Sequence, residues 1–354
     1  MARILYGVSG EGSGHSSRAH EVLPDLIDHG HEVRVATYAR GITNLAHDYD
    51  CIEIEGLTIV SRDNQVSRIG TVIENLRRSG RLIRRFRQLR REGVREFRPD
   101  VVITDFEPMT AWLAGFHGIP LITVDNQQRM RYLRYSAPPG MSLDRRMTVA
   151  IIAAMTPRPD ASCVTTFVQS EPTNEHTWVF PPLVRRDVRS ATPTNGEHYL
   201  IYTTSGYDTL NDVVRTFADE RFIVYGSGRD DSQENLRFRL PSRAGFLADL
   251  VAAKGVIATA GFTLISESLY LGKPYLALPM AGQFEQQLNA WQLEQSGYGV
   301  AAQGDLRECI ERFIDRLPQI TAAVANAPRN DGSALRNKVL ELVDTLATRR
   351  AAAA

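Results

Sequence analysis

Thr259-Ala-Gly-Phe-Thr-Leu-Ile-Ser-Glu267 runs on to Gly272-Lys-Pro-Tyr-Leu-Ala-Leu-Pro279 and then to Glu285-Gln286-Gln-Leu-Asn289-Ala290. The apolar run Gly255–Thr259 reads as a buried strand, and Gly261 makes the turn out of it. Leu264–Leu271 is helical by spacing, Tyr275–Leu278 is the next strand, and Gln286–Gln295 the next helix. Two short strands joined through a helix form a βαβ unit, which needs a parallel sheet covered on both faces.

The same alternation extends upstream: strand His198–Thr203, helix Asp208–Asp219, strand Phe222–Tyr225 and helix Phe246–Ala253. The first half repeats it, with strands Arg3–Val8, Glu32–Thr37, Asp100–Thr104 and Pro120–Val124, and a helix over His15–His29. Between the halves, Pro157–Pro193 holds six prolines, with strands at Ala161–Phe167 and Thr177–Phe180. A chain of 354 residues suits about two domains. The expectation is an α/β protein of two doubly wound, Rossmann-like domains facing a cleft. The boundaries are 1–168, an interdomain linker at 169–194, a second domain at 195–330, and a C-terminal helix and tail at 331–354 with Ser333 as N-cap. In such sheets ligands bind at the carboxyl ends of the strands.

Composition narrows the function. Apolar residues are 43% and charged residues 23%, which excludes global disorder and coiled coil. The three cysteines, Cys51, Cys163 and Cys309, are far apart. No disulfide framework or zinc spacing follows, no metal is expected, and a reducing cytoplasm fits. No apolar run approaches the ~20 residues of a membrane span, and the N-terminus lacks a signal-peptide apolar region. With 41 basic and 41 acidic residues, a general nucleic-acid binder is not expected.

Gly10-Glu-Gly12-Ser13-Gly14-His15 follows the first strand and opens the first helix. Such a turn presents backbone N–H groups to an anion or polar ligand. A dinucleotide fingerprint would place glycine where His15 stands and an acid after Glu32–Thr37; neither is present. His15, at the lip of the cleft, is either a general base kept neutral by the helix dipole or a histidine that only bonds a neighbouring loop.

The quoted 259–290 stretch resembles the donor-binding signature of GT-B glycosyltransferases, in the group related to UDP-glucuronosyltransferases and the peptidoglycan N-acetylglucosaminyltransferase. Gly261, Glu267, Gly272, Pro274, Pro279, Gln286, Asn289 and Ala290 match it, while Glu285 replaces the usual aspartate. Gly10–His15 with Arg18 resembles the family's acceptor-side loop. Asp105-Phe-Glu107-Pro and Asp125-Asn-Gln127 resemble motifs of a largely uncharacterised bacterial and archaeal subgroup, and Pro181–Arg185 resembles its linker.

The resemblance implies an inverting, metal-independent transfer of a sugar from a nucleotide-sugar co-substrate, with UDP the favoured nucleotide, to a hydroxyl acceptor such as a glycan or a lipid-linked molecule. No separate cofactor is implied. Gly261, Phe262 and Thr263 would meet phosphate at a helix N-terminus. Glu267 would accept ribose hydroxyls, Glu285 and Gln286 would hold the sugar, and Ser205 would reach the distal phosphate. Phe246 either contacts the base or packs in the core. On the acceptor side stand Gly12, Ser13, Gly14, Glu107, Asp125 and Gln127. His15 is the first choice of base. Asp105 is either its orienting carboxylate, a second base, or a turn acid capping the next helix. Thr259 stands where retaining relatives often carry glutamate. A UDP-sugar epimerase on the same fold and a non-catalytic nucleotide-sugar-binding protein are the alternatives.

From Ser67 to Arg98 there are 11 arginines and 3 glutamates. Apolar residues recur among them near helical spacing. The segment Arg77–Arg98 is an amphipathic basic helix that lies on anionic lipid at the inner membrane face, binds an acidic acceptor, or is a solvated surface helix.

Overall fold

The computed structural model describes residues 1–56, 61–62, 65–66, 79–203, 207–327 and 329–353. The strands, in chain order, are β1 (Arg3–Val8), β2 (Glu32–Thr37), β3 (Cys51–Glu53), β4 (Ser61–Arg62), β5 (Gln65–Val66), β6 (Val101–Asp105), β7 (Leu121–Asp125), β8 (Ala161–Thr165), β9 (Thr177–Phe180), β10 (His198–Tyr202), β11 (Arg221–Tyr225), β12 (Ser232–Gln233), β13 (Leu236–Arg239), β14 (Gly255–Thr259), β15 (Tyr275–Leu278) and β16 (Gly299–Ala301).

Two seven-stranded sheets result. The first runs β3-β2-β1-β6-β7-β8-β9 and is parallel throughout. The second runs β12-β13-β11-β10-β14-β15-β16 and is parallel except for the β12–β13 edge pair. Both are wound outward from the middle, the GT-B arrangement of two α/β domains. The near-continuous burial of β6, β7, β8 and β14 is what a sheet covered on both faces demands.

Strand order places the chemistry. Winding reverses between β1 and β6, where Val8 pairs with Asp105, so the loops leaving these two strands diverge from one point. In the second sheet it reverses between β10 and β14, where Tyr202 pairs with Ala258, one residue before Thr259.

Two features of the structure bear on the expected boundaries. The linker at 169–194 contains β9, which pairs with β8 in register Ser162↔Thr177 and closes the first sheet's edge. The first domain therefore extends to Phe180, and the chain crosses at Pro181–Arg185. Pro172 precedes this edge strand, and Pro181 and Pro182 follow it and open the crossover. The C-terminal helix, Ser333–Ala353, packs on the first domain. Its stripe Leu335, Val339, Leu342, Val343 and Leu346 is buried with Ile4, Tyr6, Val8, Ile103 and Val124 in the first domain's core. That face of the sheet needs an apolar cover, and the last helix supplies it.

The arginine-rich segment forms the helix Ser79–Leu89 and continues as a π-helical turn, Arg90–Glu96; Arg77 and Arg78 lie outside the described residues. Its stripe Leu82, Phe86, Leu89 and Val94 packs on Leu5, Ile52 and Val102 of the first sheet. The apolar side that an amphipathic reading offers to lipid is thus occupied by protein, while Arg81, Arg84 and Arg87 stay exposed. Among the described residues no helix is long and apolar enough to cross a membrane.

Candidate active site

The glycine loop ends at Ser13, the N-cap of the helix Gly14–Asp28, whose side chain makes no cap bond. Gly12 has φ +74°, a left-handed conformation that glycine adopts without strain. Gly14 is required for a different reason. A Cβ there would lie 2.4 Å from Thr263 Oγ1, because the loop abuts the second domain's helix start.

His15 lies on the helix's first turn and Arg18 one turn later, so both point to one side. Asp105, at the end of β6, meets them. His15 Nδ1 lies 2.6 Å from Asp105 Oδ1. Arg18 grips the same carboxylate with both arms, Nε to Oδ2 at 2.7 Å and Nη2 to Oδ1 at 2.6 Å. Arg18 Nη2 also lies 3.2 Å from His15 Nδ1. An ionised carboxylate only accepts, so at 2.6 Å it is Nδ1–H that donates to Asp105, and in the neutral imidazole Nε2 carries the lone pair. Asp105 is fully buried. Burial pushes its carboxyl up, but Arg18 and then His15 more than offset this and hold it below the ordinary aspartate value. Phe106 follows with φ +54°, unusual for a bulky residue, and its ring stacks on His15 at 6.4 Å and 13°. This strained turn lies between Asp105 and the Glu107 cap, where the backbone must change direction.

Glu107, expected on the acceptor side, has a structural role. It is the buried N-cap of the helix Pro108–Phe116, accepting from Met109 N at 2.7 Å, Thr110 N at 2.8 Å and Thr110 Oγ1 at 2.6 Å. The capping role left open for Asp105 thus falls to Glu107, two residues later and directly before proline at the first helical position. Asp125, also buried, caps the next turn through Gln128 N at 2.7 Å, and its Oδ2 has no hydrogen-bond partner. Burial pushes its carboxyl up to about 7, against the Gln128 bond.

The second domain brings Glu267, Glu285 and Gln286 to the opposite wall, with protein partners. Arg185 of the crossover binds both oxygens of Glu267, Nε to Oε1 at 2.6 Å and Nη2 to Oε2 at 2.9 Å. Asn126 Nδ2 donates to Glu285 Oε1 at 2.7 Å, and Gln127 Nε2 lies 3.5 Å from both oxygens. Gln286 Oε1 accepts from Met280 N at 3.0 Å and fixes the loop before its own helix. Gly261 is the N-cap of the helix Phe262–Tyr270, with open space where a Cβ would project. Phe246 packs edge-on against Tyr202 at 5.6 Å and Tyr225 at 5.2 Å. The ring is partly buried against the second domain's core. Ser205 lies outside the described residues.

Four partners had no assigned role from sequence: Arg18, Asn126, Arg129 and Arg185. Arg18 was findable, being three residues from His15 on one helix face. Arg129 carried no such signal. It is buried between the domains, donating to Gln292 Oε1 at 2.9 Å and to Asn289, with its guanidinium 5.3 Å from the Phe262 ring. Burial holds it down at about 10. Asn289 in turn donates to Ala260 O at 2.8 Å, bracing the signature's glycine turn.

Away from the cleft, His29, His31 and Asp344 present ligand-type atoms to one another. Ala2 N–H donates to His31 Nδ1 at 3.1 Å, which leaves Nε2 protonated and aimed at Asp344; that tautomer does not ligate metal.

With this geometry in place, comparison with known proteins adds the following. Residues 2–318 match the family model described as Glycosyl transferase family 1. An uncharacterized glycosyltransferase of Methanosarcina acetivorans is 24% identical over 336 residues, 84% of each chain. Among solved structures, the glycotransferase of kitacinnamycin superposes with a TM-score of 0.69 at 17% identity, covering 98% of this chain and 99% of the other. The glycosyltransferase VinC in complex with DTDP gives 0.61 at 14% identity, covering 98% and 100%.

Proposed function

The chain belongs to glycosyl transferase family 1, and from that premise we propose an inverting, metal-independent transfer of a hexosyl group from a pyrimidine nucleoside diphosphate sugar to a hydroxyl acceptor. The observation that carries this reading is the His15–Asp105–Arg18 constellation. Asp105 holds His15 in the tautomer whose Nε2 accepts a proton, and Arg18 keeps Asp105 ionised. His15 Nε2 takes the acceptor proton as its oxygen bonds the anomeric carbon. The bond from that carbon to the phosphate oxygen breaks, and its electron pair leaves with the nucleoside diphosphate. Asp105 stabilises the imidazolium that forms.

On the donor wall, the amides at the start of Phe262–Tyr270 and the Thr263 hydroxyl face the diphosphate. Glu267, its carboxylate plane fixed by Arg185, offers its remaining lone pairs to the ribose. Glu285 and Gln286 take sugar hydroxyls. Uridine is the base favoured by the signature, and the neighbour solved with DTDP extends the expectation to thymidine. The basic surface of the first domain suits work at the cytoplasmic membrane face. The test is His15→Ala with sugar-donor panels. Turnover should fall by roughly 100- to 10,000-fold while calorimetric affinity for the nucleoside diphosphate stays unchanged. A fully active variant removes His15 as the base.

A further inference from the structure

Five large apolar side chains stand exposed on two neighbouring helices of the first domain. Leu143 (67% exposed), Met147 (38%) and Ile151 (55%) recur at four-residue intervals along the helix Ser142–Met155. Trp112 (40%) and Phe116 (66%) do the same on Pro108–Phe116. The two rows are continuous. Trp112 Nε1 donates to Ala154 O at 2.9 Å, and the Trp112 and Phe116 rings are 5.6 Å apart. Single exposed apolar residues need no explanation, but a joined strip of this kind marks an interaction surface.

The strip has a cationic margin. Arg90 Nε donates to His117 Nε2 at 3.3 Å, and Arg350 Nη1 reaches Gly118 O at 3.4 Å. Arg90 and Arg350 thus come to the Phe116 end from two other segments, Arg95 is exposed on the same turn as Arg90, and burial, then the charges of Arg90, Arg95 and Arg350, hold the His117 imidazole below its usual value. Arg146 is exposed beside Met147 on the other helix.

We propose that this face, Trp112, Phe116, Leu143, Met147 and Ile151 with the Arg90, Arg95 and Arg350 margin, docks on an anionic lipid bilayer. The charge chooses the occupant. Anionic headgroups neutralise the guanidinium groups while acyl chains take the apolar strip. The stripe of the arginine-rich helix cannot serve, because it is packed on the sheet. The surface also lies close to the site. The helix Ser142–Met155 turns Val149 and Ile152 inward into the cluster that contains Phe106, whose ring stacks on His15. A hydroxyl acceptor held at the bilayer surface would reach the cleft past this one helix.

The experiment is co-sedimentation of the full chain with vesicles of phosphatidylcholine alone and of phosphatidylcholine with phosphatidylglycerol, without donor or acceptor, so its outcome is independent of the transfer chemistry. Binding is expected to the anionic vesicles only, weakening with salt. The triple variant Arg90→Ser, Arg95→Ser, Arg350→Ser should bind on the order of 100-fold more weakly, from roughly five-fold per arginine. Trp112→Ser with Phe116→Ser should lose about ten-fold or more. Leu240→Ser, exposed on the second domain, should bind like the parent. Trp112, Phe116, Arg90, Arg95 and Leu240 are exposed and Arg350 is half-buried, and unfolding midpoints check that the variants fold. The proposal is overturned by no binding, by equal binding to neutral vesicles, or by a lipid-free dimer that Phe116→Ser dissociates.

Discussion

The two walls of the cleft are built on different terms. On the first-domain wall, Asp105, Arg18 and His15 satisfy one another within a single domain, out of strand ends that the sheet places side by side. On the second-domain wall, Glu285 is paired with Asn126 of the first domain and Glu267 with Arg185 of the crossover. The first set is preorganised and stays so whatever the domains do. The second holds its geometry through contacts that, on the proposed reading, a donor would share or displace. Proton-transfer groups gain from fixed geometry, and a ligand-binding wall gains from exchangeable partners.

The largest expected effect tests the self-sufficiency of the first wall. Asp105→Ala strips the partner from buried Arg18, and stability should fall by about 3–5 kcal/mol in denaturant unfolding. A loss under 1 kcal/mol would mean that Arg18 finds water or another acid, and that the wall is not closed upon itself. Next is Asp125, whose folded value near 7 lies above the unfolded aspartate value. The folded state therefore holds the extra proton, so this group's stabilising contribution is present at low pH and is lost as pH rises from about 4 through 7. Asp125→Asn should raise stability at pH 8 by up to about 4 kcal/mol and change little at pH 4, read from melting midpoints across pH. An equal gain at both pH values would assign the effect to packing.

Glu107→Ala should cost about 1–3 kcal/mol by removing a buried cap, with donor affinity unchanged. A selective loss of acceptor affinity would return Glu107 to the binding surface. The smallest effect belongs to the second wall. Asn126→Ala should leave stability within about 1 kcal/mol and leave kcat almost intact, while shifting donor KM, because it frees Glu285 without exposing a buried charge. A kcat loss as large as that of a first-wall variant would erase the distinction.

What each wall showed in advance follows from the range of its interactions. The strands at Arg3–Val8, Glu32–Thr37, Thr177–Phe180, Gly255–Thr259 and Tyr275–Leu278 have the bounds that apolar runs and turn residues prescribe, because burial on both faces writes itself into local sequence. The Glu107-Pro108 cap was also local, yet its acid was read as chemistry, since a carboxylate at a strand end carries the same letters in either role. The pairing of Asp105 with His15 was foreseen only as a possibility, because 90 residues separate them and only the β1–β6 neighbourhood joins them.

The sequence by itself determined the alternation of elements, the two α/β domains, the glycine turns and the acids that stand at strand ends, all of which depend on periodicity and backbone preference within a few residues. Tertiary structure alone decided that the last helix covers the first domain, that the arginine helix turns its apolar stripe to the sheet, that Arg129 is buried between the domains, and which cation holds which carboxylate. An apolar stripe or a charge specifies that a partner is needed, but the partner itself is set by strand order and helix docking across the whole chain.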